Sequence, residues 1–181
     1  MQKKTNYKLD IKKNKPILVL LPVLLLILIS ILIFNISERP IKLKVTPDKK
    51  NVKPGDIITY TIKMGATKNL ASMKFKIVIP KGLTFVSGEE VNGLKQKLNA
   101  SKAEFTESTK VFMVGSSDYS SRRETILMTF KCSVNEDATG KKDIELIIDE
   151  DDFFDTSDEM KNIPVEYSNT KSIVNITIDS K

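Results

Sequence analysis

The hydrophobic pattern divides the chain into two parts. Residues 17–36 form an uncharged run of 20 mostly apolar residues, bordered by Lys15 on one side and Glu38 on the other. A helix of that length crosses the ~30 Å hydrocarbon core of a bilayer. After Pro40 the pattern changes to alternating apolar and polar residues, the period of a strand with one buried face. The sequence therefore predicts one transmembrane helix followed by an all-β domain.

The alternation also locates individual strands in the second part. Turn residues interrupt it at 53–56, 80–82, 87–88, 92–93 and 139–140, and only residues 94–102 could hold a helical turn. Many short strands at this spacing predict an antiparallel two-sheet β-sandwich. The apolar rows predicted to face the core are Ile58, Tyr60, Ile62 and Met64; Met73, Phe75, Ile77 and Ile79; Ile126, Met128, Phe130, Cys132 and Val134; Ile144, Leu146 and Ile148; and Val174, Ile176 and Ile178.

Charge asymmetry around the apolar run predicts its orientation. Six lysines precede the run, offset by Asp10 alone, and such an excess is typical of a cytoplasmic tail. A cleaved signal peptide is the alternative, but its apolar core is normally only ~7–15 residues long. We therefore expect a single-pass membrane protein with an extracellular C-terminal domain. Its predicted segments are a basic tail at 1–16, a membrane helix at 17–36, a linker at 37–41 and a sandwich at 42–179.

Composition excludes several classes of function. The net charge is +6, but residues 1–16 contribute +5 of it, so the remainder is nearly neutral and lacks the basic surface of a nucleic-acid binder. The chain contains no His, which excludes imidazole catalysis and His-ligated zinc. The single Cys132 cannot form an intramolecular disulfide, and its row places it in the core. We expect a protein that is not an enzyme and needs no cofactor.

Two polar segments could carry chemistry. The densest charge cluster is interrupted by Phe153 and Phe154, and it lacks the glycine of an EF-hand loop. We interpret it as a solvated loop with a hydrophobic peg rather than as a metal or glycosidase site. The second segment is a polar hairpin tip around Tyr119, which is either a plain turn or part of a recognition rim. The acidic cluster comprises Asp149, Glu150, Asp151, Asp152, Asp155, Asp158 and Glu159.

The order of these landmarks resembles a cohesin domain, the jelly-roll module that receives dockerins in bacterial surface assemblies. The resemblance covers about residues 43–178 and rests on four segments whose order and spacing are similar to those of that family. These segments are VKPGDIITYTIKM, NLASMKFKIVIPKGLTFVSG, ETILMTFKCSVNEDATGKKDIELIID and DFFDTSDEMKNIPVEYSNTKSIVNITI. The opening segment also resembles bacterial surface repeats of the DUF11 type.

The resemblance implies a partner-binding face on the third, fifth, sixth and eighth strands of the cohesin sandwich. The matching positions depart from the family pattern, because Ser72 and Lys74 stand where cohesins often have Asn and Asp, and Thr106 replaces a Tyr. Gly115 replaces a bulky apolar contact, whereas an acidic contact is kept at Asp118. The implied partner-binding residues are Ser72, Lys74, Thr106, Gly115 and Asp118, together with the neighbouring Tyr119.

Three functions are compatible with these observations. The first is a binding module for a dockerin-bearing or other surface protein. The second is a polysaccharide-binding module, against which the absence of Trp weighs, because sugar rings commonly stack on aromatic side chains. The third is a DUF11-like adhesion or spacer domain. All three are non-enzymatic, and the first agrees best with the resemblance.

Overall fold

The computed structural model describes residues 22–30, 40–115, 118–149, 151–156, 161–166 and 170–177. The chain divides into two units, Met1–Glu38 and Arg39–Lys181. Within the first unit, residues 22–30 form a helix, α1, whose side chains are exposed. None of the helices in the described ranges is long and apolar enough to cross a membrane. The rest of the span predicted at 17–36 lies outside the described residues.

The described part of the second unit is built almost entirely from strands. It contains thirteen strands and one short helix. These elements are β1 (Ile41–Pro47), β2 (Asn51–Val52), β3 (Ile57–Met64), β4 (Thr67–Val78), β5 (Leu83–Glu90), α2 (Leu94–Lys97), β6 (Lys102–Thr106), β7 (Val111–Gly115), β8 (Tyr119–Ser121), β9 (Thr125–Val134), β10 (Gly140–Ile147), β11 (Phe153–Asp155), β12 (Val165–Glu166) and β13 (Lys171–Ile176).

The strands form two sheets that pack face to face. One sheet has the order β12-β1-β3-β9-β5. The other has the order β2-β13-β10-β4-β7-β6, with β8 and β11 also paired to β4. The predicted all-β sandwich is therefore confirmed. The prediction of purely antiparallel strands was wrong, because β1 pairs with β12 and β2 pairs with β13 in parallel. These pairs join strands from opposite ends of the domain, which no local turn can align.

The core contains the inward-facing residues of both sheets. Tyr60 stacks on Phe130 with ring centroids 5.0 Å apart, and Phe75 stacks on Phe112 at the same distance. All four rings are almost completely buried. Each buried aromatic side chain removes a large apolar area from water, and each stacked pair adds about 0.5–1.5 kcal/mol beyond that burial. Each stacked pair joins two neighbouring strands of one sheet, and the burial of all four rings stabilises the core.

Most of the predicted core rows are confirmed, with one exception. Ile126 was expected to point inward, but it is exposed, and Leu127 is buried instead. The cause is a β-bulge, because the register between β3 and β9 shifts between Ile62 and Lys63. A bulge places one extra residue in a strand and so reverses the facing of the residues beyond it. Ile178 lies outside the described residues.

One of the predicted turns was also wrong. Residues 87–88 belong to β5 rather than to a loop. A Cβ atom at Gly88 would approach the Phe105 ring to 2.8 Å, so the missing side chain allows β5 and the ring to lie close together. Gly55 and Gly82 act as turn residues, and their φ angles are +83° and +96°. Glycine adopts such angles without steric cost.

Tyr60 provides a test of the core. Its hydroxyl is buried and has no hydrogen-bond partner among the described residues, and burial raises the pKa of Tyr60, so the ring stays neutral. An unsatisfied buried hydroxyl costs about 1–3 kcal/mol. We therefore expect Tyr60→Phe to raise the free energy of unfolding, measured by urea denaturation, by about 1 kcal/mol.

The matched control is Tyr119→Phe. The Tyr119 hydroxyl is hydrogen-bonded to the Thr125 hydroxyl, so its removal should lower the free energy of unfolding by about 0.5–1.5 kcal/mol. Any lowering of the free energy of unfolding by Tyr60→Phe would show that the Tyr60 hydroxyl contributes favourably to the core.

Candidate functional site

β4 is the strand around which the candidate site is built. Lys76 pairs with Val111 of β7 across one edge and with Ile147 of β10 across the other. Closer to the start of the strand, Leu70 pairs with Tyr119 of β8 and with Asp155 of β11. β10 and β11 therefore share one edge of β4, and β7 and β8 share the other. Each edge of β4 therefore pairs with two strands that are successive in the chain.

Alternation along β4 separates core residues from surface residues. Met73 and Phe75 are buried, whereas Ser72 is half-buried and Lys74 is exposed on the outer face of the eight-stranded sheet. A depression of about 340 Å³ opens on that face, and we refer to it as the β4–β7 depression. It is lined by Ser72, Met73, Lys74, Lys102, Met113, Val114, Gly115, Asp151, Asp152 and Phe154.

Three of the six predicted partner-binding residues line this depression, namely Ser72, Lys74 and Gly115. Thr106 lies in the same sheet but pairs with Val111, four residues along β6 from Lys102. Four residues of a strand span about 13 Å, so Thr106 is not at the depression. It could contact only a partner large enough to extend along the sheet.

The other two predicted residues lie at the far end of this sheet. Asp118 is exposed and immediately precedes β8. Tyr119 is half-buried, packs against the core, and is hydrogen-bonded to Thr125. Its ring is therefore part of the domain's own packing, and the aromatic surface it offers to a partner is limited.

An ion pair crosses the wall of the depression. The Lys74 ammonium donates a hydrogen bond to Asp152 Oδ1 over 3.0 Å, and this bond raises the pKa of Lys74. Asp152 is only 7% exposed, and its Oδ2 accepts a hydrogen bond from the Asp149 backbone N–H over 2.8 Å. Asp152 thus fastens the loop between β10 and β11 onto β4. The charge of Lys74 is compensated within the chain, so it is less available to a partner than the sequence suggested.

Gly115 leaves one side of the depression open. A Cβ atom built at this position meets no atom within 4 Å, and the backbone angle is not among the positive values that disfavour side chains. The neighbouring Ser101 hydroxyl donates a hydrogen bond to the Gly115 carbonyl over 2.8 Å, which holds the end of β7 in place. Any side chain at 115 would extend outward from this rim.

The acidic cluster has a structural role in its described part. Its carboxylates accept hydrogen bonds from within the loop region, as Asp151 does from Asn162 and Asp155 from the Lys161 backbone N–H. Among the described residues, no group of three or more His, Cys, Asp or Glu side chains is arranged to hold a metal ion. The hydrophobic peg is confirmed for Phe153, which is buried. Glu150, Asp158 and Glu159 lie outside the described residues.

Cys132 occupies the core position that the sequence predicted. It is fully buried and forms no disulfide. Burial raises the pKa of its thiol to about 12, so the thiolate that nucleophilic chemistry requires does not form near neutral pH. Cys132 therefore belongs to the packing between β3, β5 and β9, its neighbours in the sheet.

Sequence reasoning missed several residues of the depression. Met113 lies on β7 between the buried Phe112 and Val114, so alternation alone could have placed it on the outer face. The same argument could have placed Lys102, at the start of β6, on the outer face. Phe154 could not have been found in this way, because β11 follows a loop whose path the pattern does not predict.

The fold is similar to that of solved cohesin domains. The seventh ScaB type I cohesin from Pseudobacteroides cellulosolvens matches with a TM-score of 0.57 and 17% identity, covering 77% of this chain and 94% of that one. A Clostridium thermocellum cohesin, OlpC, solved in a complex with the dockerin Doc435, matches with a TM-score of 0.54 and 12% identity, covering 78% of this chain and 97% of that one.

A third similar structure shows that the likeness extends beyond cellulosomes. The non-cellulosomal cohesin from the archaeon Archaeoglobus fulgidus matches with a TM-score of 0.51 and 12% identity, covering 76% of this chain and 92% of that one. No protein-family model matches the sequence, and no curated protein matches it. The structural similarity establishes the cohesin fold. Because the sequence identities are this low, function has to be argued from the site.

The Lys74–Asp152 pair yields a stability prediction. Lys74→Met would leave a nearly buried carboxylate without its cation. Breaking a fully buried pair costs about 3–5 kcal/mol, but exposed pairs are worth far less. Because Lys74 is about half exposed, we expect Lys74→Met to lower the free energy of unfolding by about 1–2 kcal/mol.

Lys76→Met is the matched control, because Lys76 is exposed on the same face of β4 and forms none of the ion pairs found among the described residues. Urea denaturation of both variants and of the double variant K74M/D152N measures the effect. The double variant should be more stable than K74M, because it removes the orphaned charge. Equal stability of K74M and K76M would contradict the assigned role of the pair.

Proposed function

We propose that this chain is a non-enzymatic binding module of cohesin fold, and that the outer face of its eight-stranded sheet receives a protein partner of the dockerin type. The observation that carries the proposal is the β4–β7 depression. It brings Ser72, Lys74 and Gly115 together on β4 and β7, in a fold that several cohesins display in complexes with dockerins.

The surface around the depression has the composition of a protein interface. Apolar groups lie at its centre, because Met113 and Phe154 line it, and Ile147 is 45% exposed farther along the same sheet. Charged groups surround them, among them Lys102, which pairs with Glu104 over 2.7 Å. An apolar centre with a polar rim is typical of protein interfaces, in which a few central contacts contribute most of the binding energy.

The depression is too small to be the whole interface. A stable protein complex buries about 800 Å² on each partner, so the partner would also cover neighbouring strands. Thr106 on β6 and Asp118 before β8 lie in the directions in which that contact would extend. All six residues expected from the sequence can therefore belong to one extended interface, with the depression at its centre.

We also propose that the domain is held on the outer side of the cytoplasmic membrane by residues 17–36. The support comes from the uncharged run of 20 residues and from the lysines that precede it, together with the helical conformation of residues 22–30. In this arrangement the binding module would capture its partner at the cell surface.

Filling the depression should abolish partner binding. We expect Gly115→Trp to project an indole over the rim without disturbing the fold, because no atom lies within 4 Å of the added Cβ. The control is Lys131→Trp, at an exposed position on the five-stranded sheet. The measurement is capture of secreted and surface proteins of the source organism by the full chain, with and without calcium, because calcium folds dockerins.

The expected result is calcium-dependent capture of a dockerin-bearing protein by the wild type and by K131W, with at least a tenfold loss for G115W. Equal capture by G115W and K131W would exclude the β4–β7 depression as the binding site. Retention on insoluble cellulose or chitin instead of protein capture would favour the polysaccharide-binding alternative.

The anchor can be tested separately in cells. We expect the full chain to remain in the membrane fraction after extraction with alkaline carbonate, and external protease to digest the C-terminal domain of intact cells. The variant L25R/L26R should release the protein from membranes, because each Arg near the centre of a span costs about 2.5–3.5 kcal/mol of insertion energy. Recovery of the wild type in the carbonate-soluble fraction would contradict the anchor.

A further inference from the structure

A second depression lies on the domain away from the residues assigned to partner binding. It has a volume of about 430 Å³ and lies between β1 of one sheet and β13 of the other, and we refer to it as the β1–β13 depression. The depression is open to solvent rather than enclosed. None of the residues proposed for partner binding lines it.

The charge of this depression has a single dominant sign. Lys44, Lys50, Lys141 and Lys171 line it, and no Asp or Glu does. Lys171 is compensated, because its ammonium lies 3.0 Å from Glu145 Oε1. The other three lysines form no ion pair with any carboxylate in the described part of the chain. The depression therefore presents an uncompensated positive charge in a concave surface, where an anion is favoured.

Lys44 has a like-charged neighbour across the sheet. Lys44 on β1 stands directly opposite Lys63 on β3, and like charges facing each other across strands are destabilising. Lys63 also lies 3.5 Å from Glu124, so that carboxylate offsets Lys63 and leaves Lys44 uncompensated. Lys44 forms none of the ion pairs found among the described residues, so its charge could contribute directly to the binding of an anion.

A serine adds a hydroxyl group to the lining of the depression. Ser172 lines the depression and is only 7% exposed. Its hydroxyl has no hydrogen-bond partner among the described residues. A hydroxyl group can donate a hydrogen bond to an oxygen of an anion. The Ser172 hydroxyl is therefore a donor that an anion in the depression would satisfy.

The donors of the depression can bind phosphate groups. All four cations are lysines, whose ammonium groups are compact point charges with three hydrogen-bond donors each. Lysine binds phosphate as a point charge, and several donors can approach a tetrahedral group from different directions. Thr46 and Asn175, which also line the depression, add polar groups to the ammonium ions and to Ser172.

We propose that the β1–β13 depression is a binding site for a ligand that carries several phosphate groups. Lys44, Lys50 and Lys141 supply the charge, and the Ser172 hydroxyl donates to a phosphate oxygen. This site is separate from the proposed protein interface, so both sites could be occupied at the same time. It would allow the domain to bind a phosphate-bearing ligand while the β4–β7 depression holds a protein.

The test uses inorganic tripolyphosphate as the probe and the full chain in a neutral detergent, with binding measured by isothermal titration calorimetry. We expect saturable binding to the wild type, weakened at least tenfold in K44Q/K141Q and at least threefold in S172A. The control is K95Q/K97Q, which makes the same change in net charge on α2 and should bind within twofold of the wild type. Far-ultraviolet circular dichroism verifies that each variant is folded.

Several results would overturn the proposal. Equal losses of tripolyphosphate affinity in K44Q/K141Q and K95Q/K97Q would show diffuse electrostatic attraction rather than a specific binding site. Unchanged affinity in S172A would remove the hydroxyl from the site, and absence of saturable binding would remove the site altogether. Tighter binding of a glutamate oligomer of equal charge would show that the depression prefers carboxylates. Because Gly115→Trp tests the other face, failure of either proposal is distinguishable from failure of the other.

Discussion

The whole domain depends on the burial of one face of each sheet against the other. The constraint is strongest at β4, because its inward residues Met73, Phe75 and Ile77 are almost completely buried while it pairs along both edges. A strand held in this way cannot slip by one residue, since a slip would turn its apolar row outward. The outward positions of Ser72 and Lys74 are therefore as well determined as the core itself.

The candidate interface follows from this constraint. β7 and β11 are short, and each is positioned by pairing with β4, so Met113 and Phe154 are brought to the same depression from segments about forty residues apart. The Lys74–Asp152 pair attaches the segment between β10 and β11 to β4. A rigid sheet face of this kind suits recognition by surface complementarity, because little conformational freedom is lost when the partner binds.

The two depressions use different physical properties of the same sandwich. The β4–β7 depression lies in the middle of a sheet face, where apolar and charged side chains mix and the main positive charge is compensated. The β1–β13 depression lies where two strands from opposite sheets approach each other, and its lysines are largely uncompensated. The first is suited to a protein surface and the second to a small, highly charged group. Because the two depressions have no lining residue in common, the two proposed sites could be occupied independently.

Much of the architecture is contained in the sequence, because burial of one strand face produces a period of two that is visible in a single chain. That pattern gave the strands, the core position of Cys132 and the outward facing of Ser72 and Lys74. The prediction of buried positions failed where the period of two is interrupted, as at the β-bulge that exposes Ile126. Ion pairs such as Lys74–Asp152, and depressions such as that between β1 and β13, join residues 78 or more positions apart. Only the tertiary structure decides such contacts, because they depend on how loops close in space and not on any local preference of the chain.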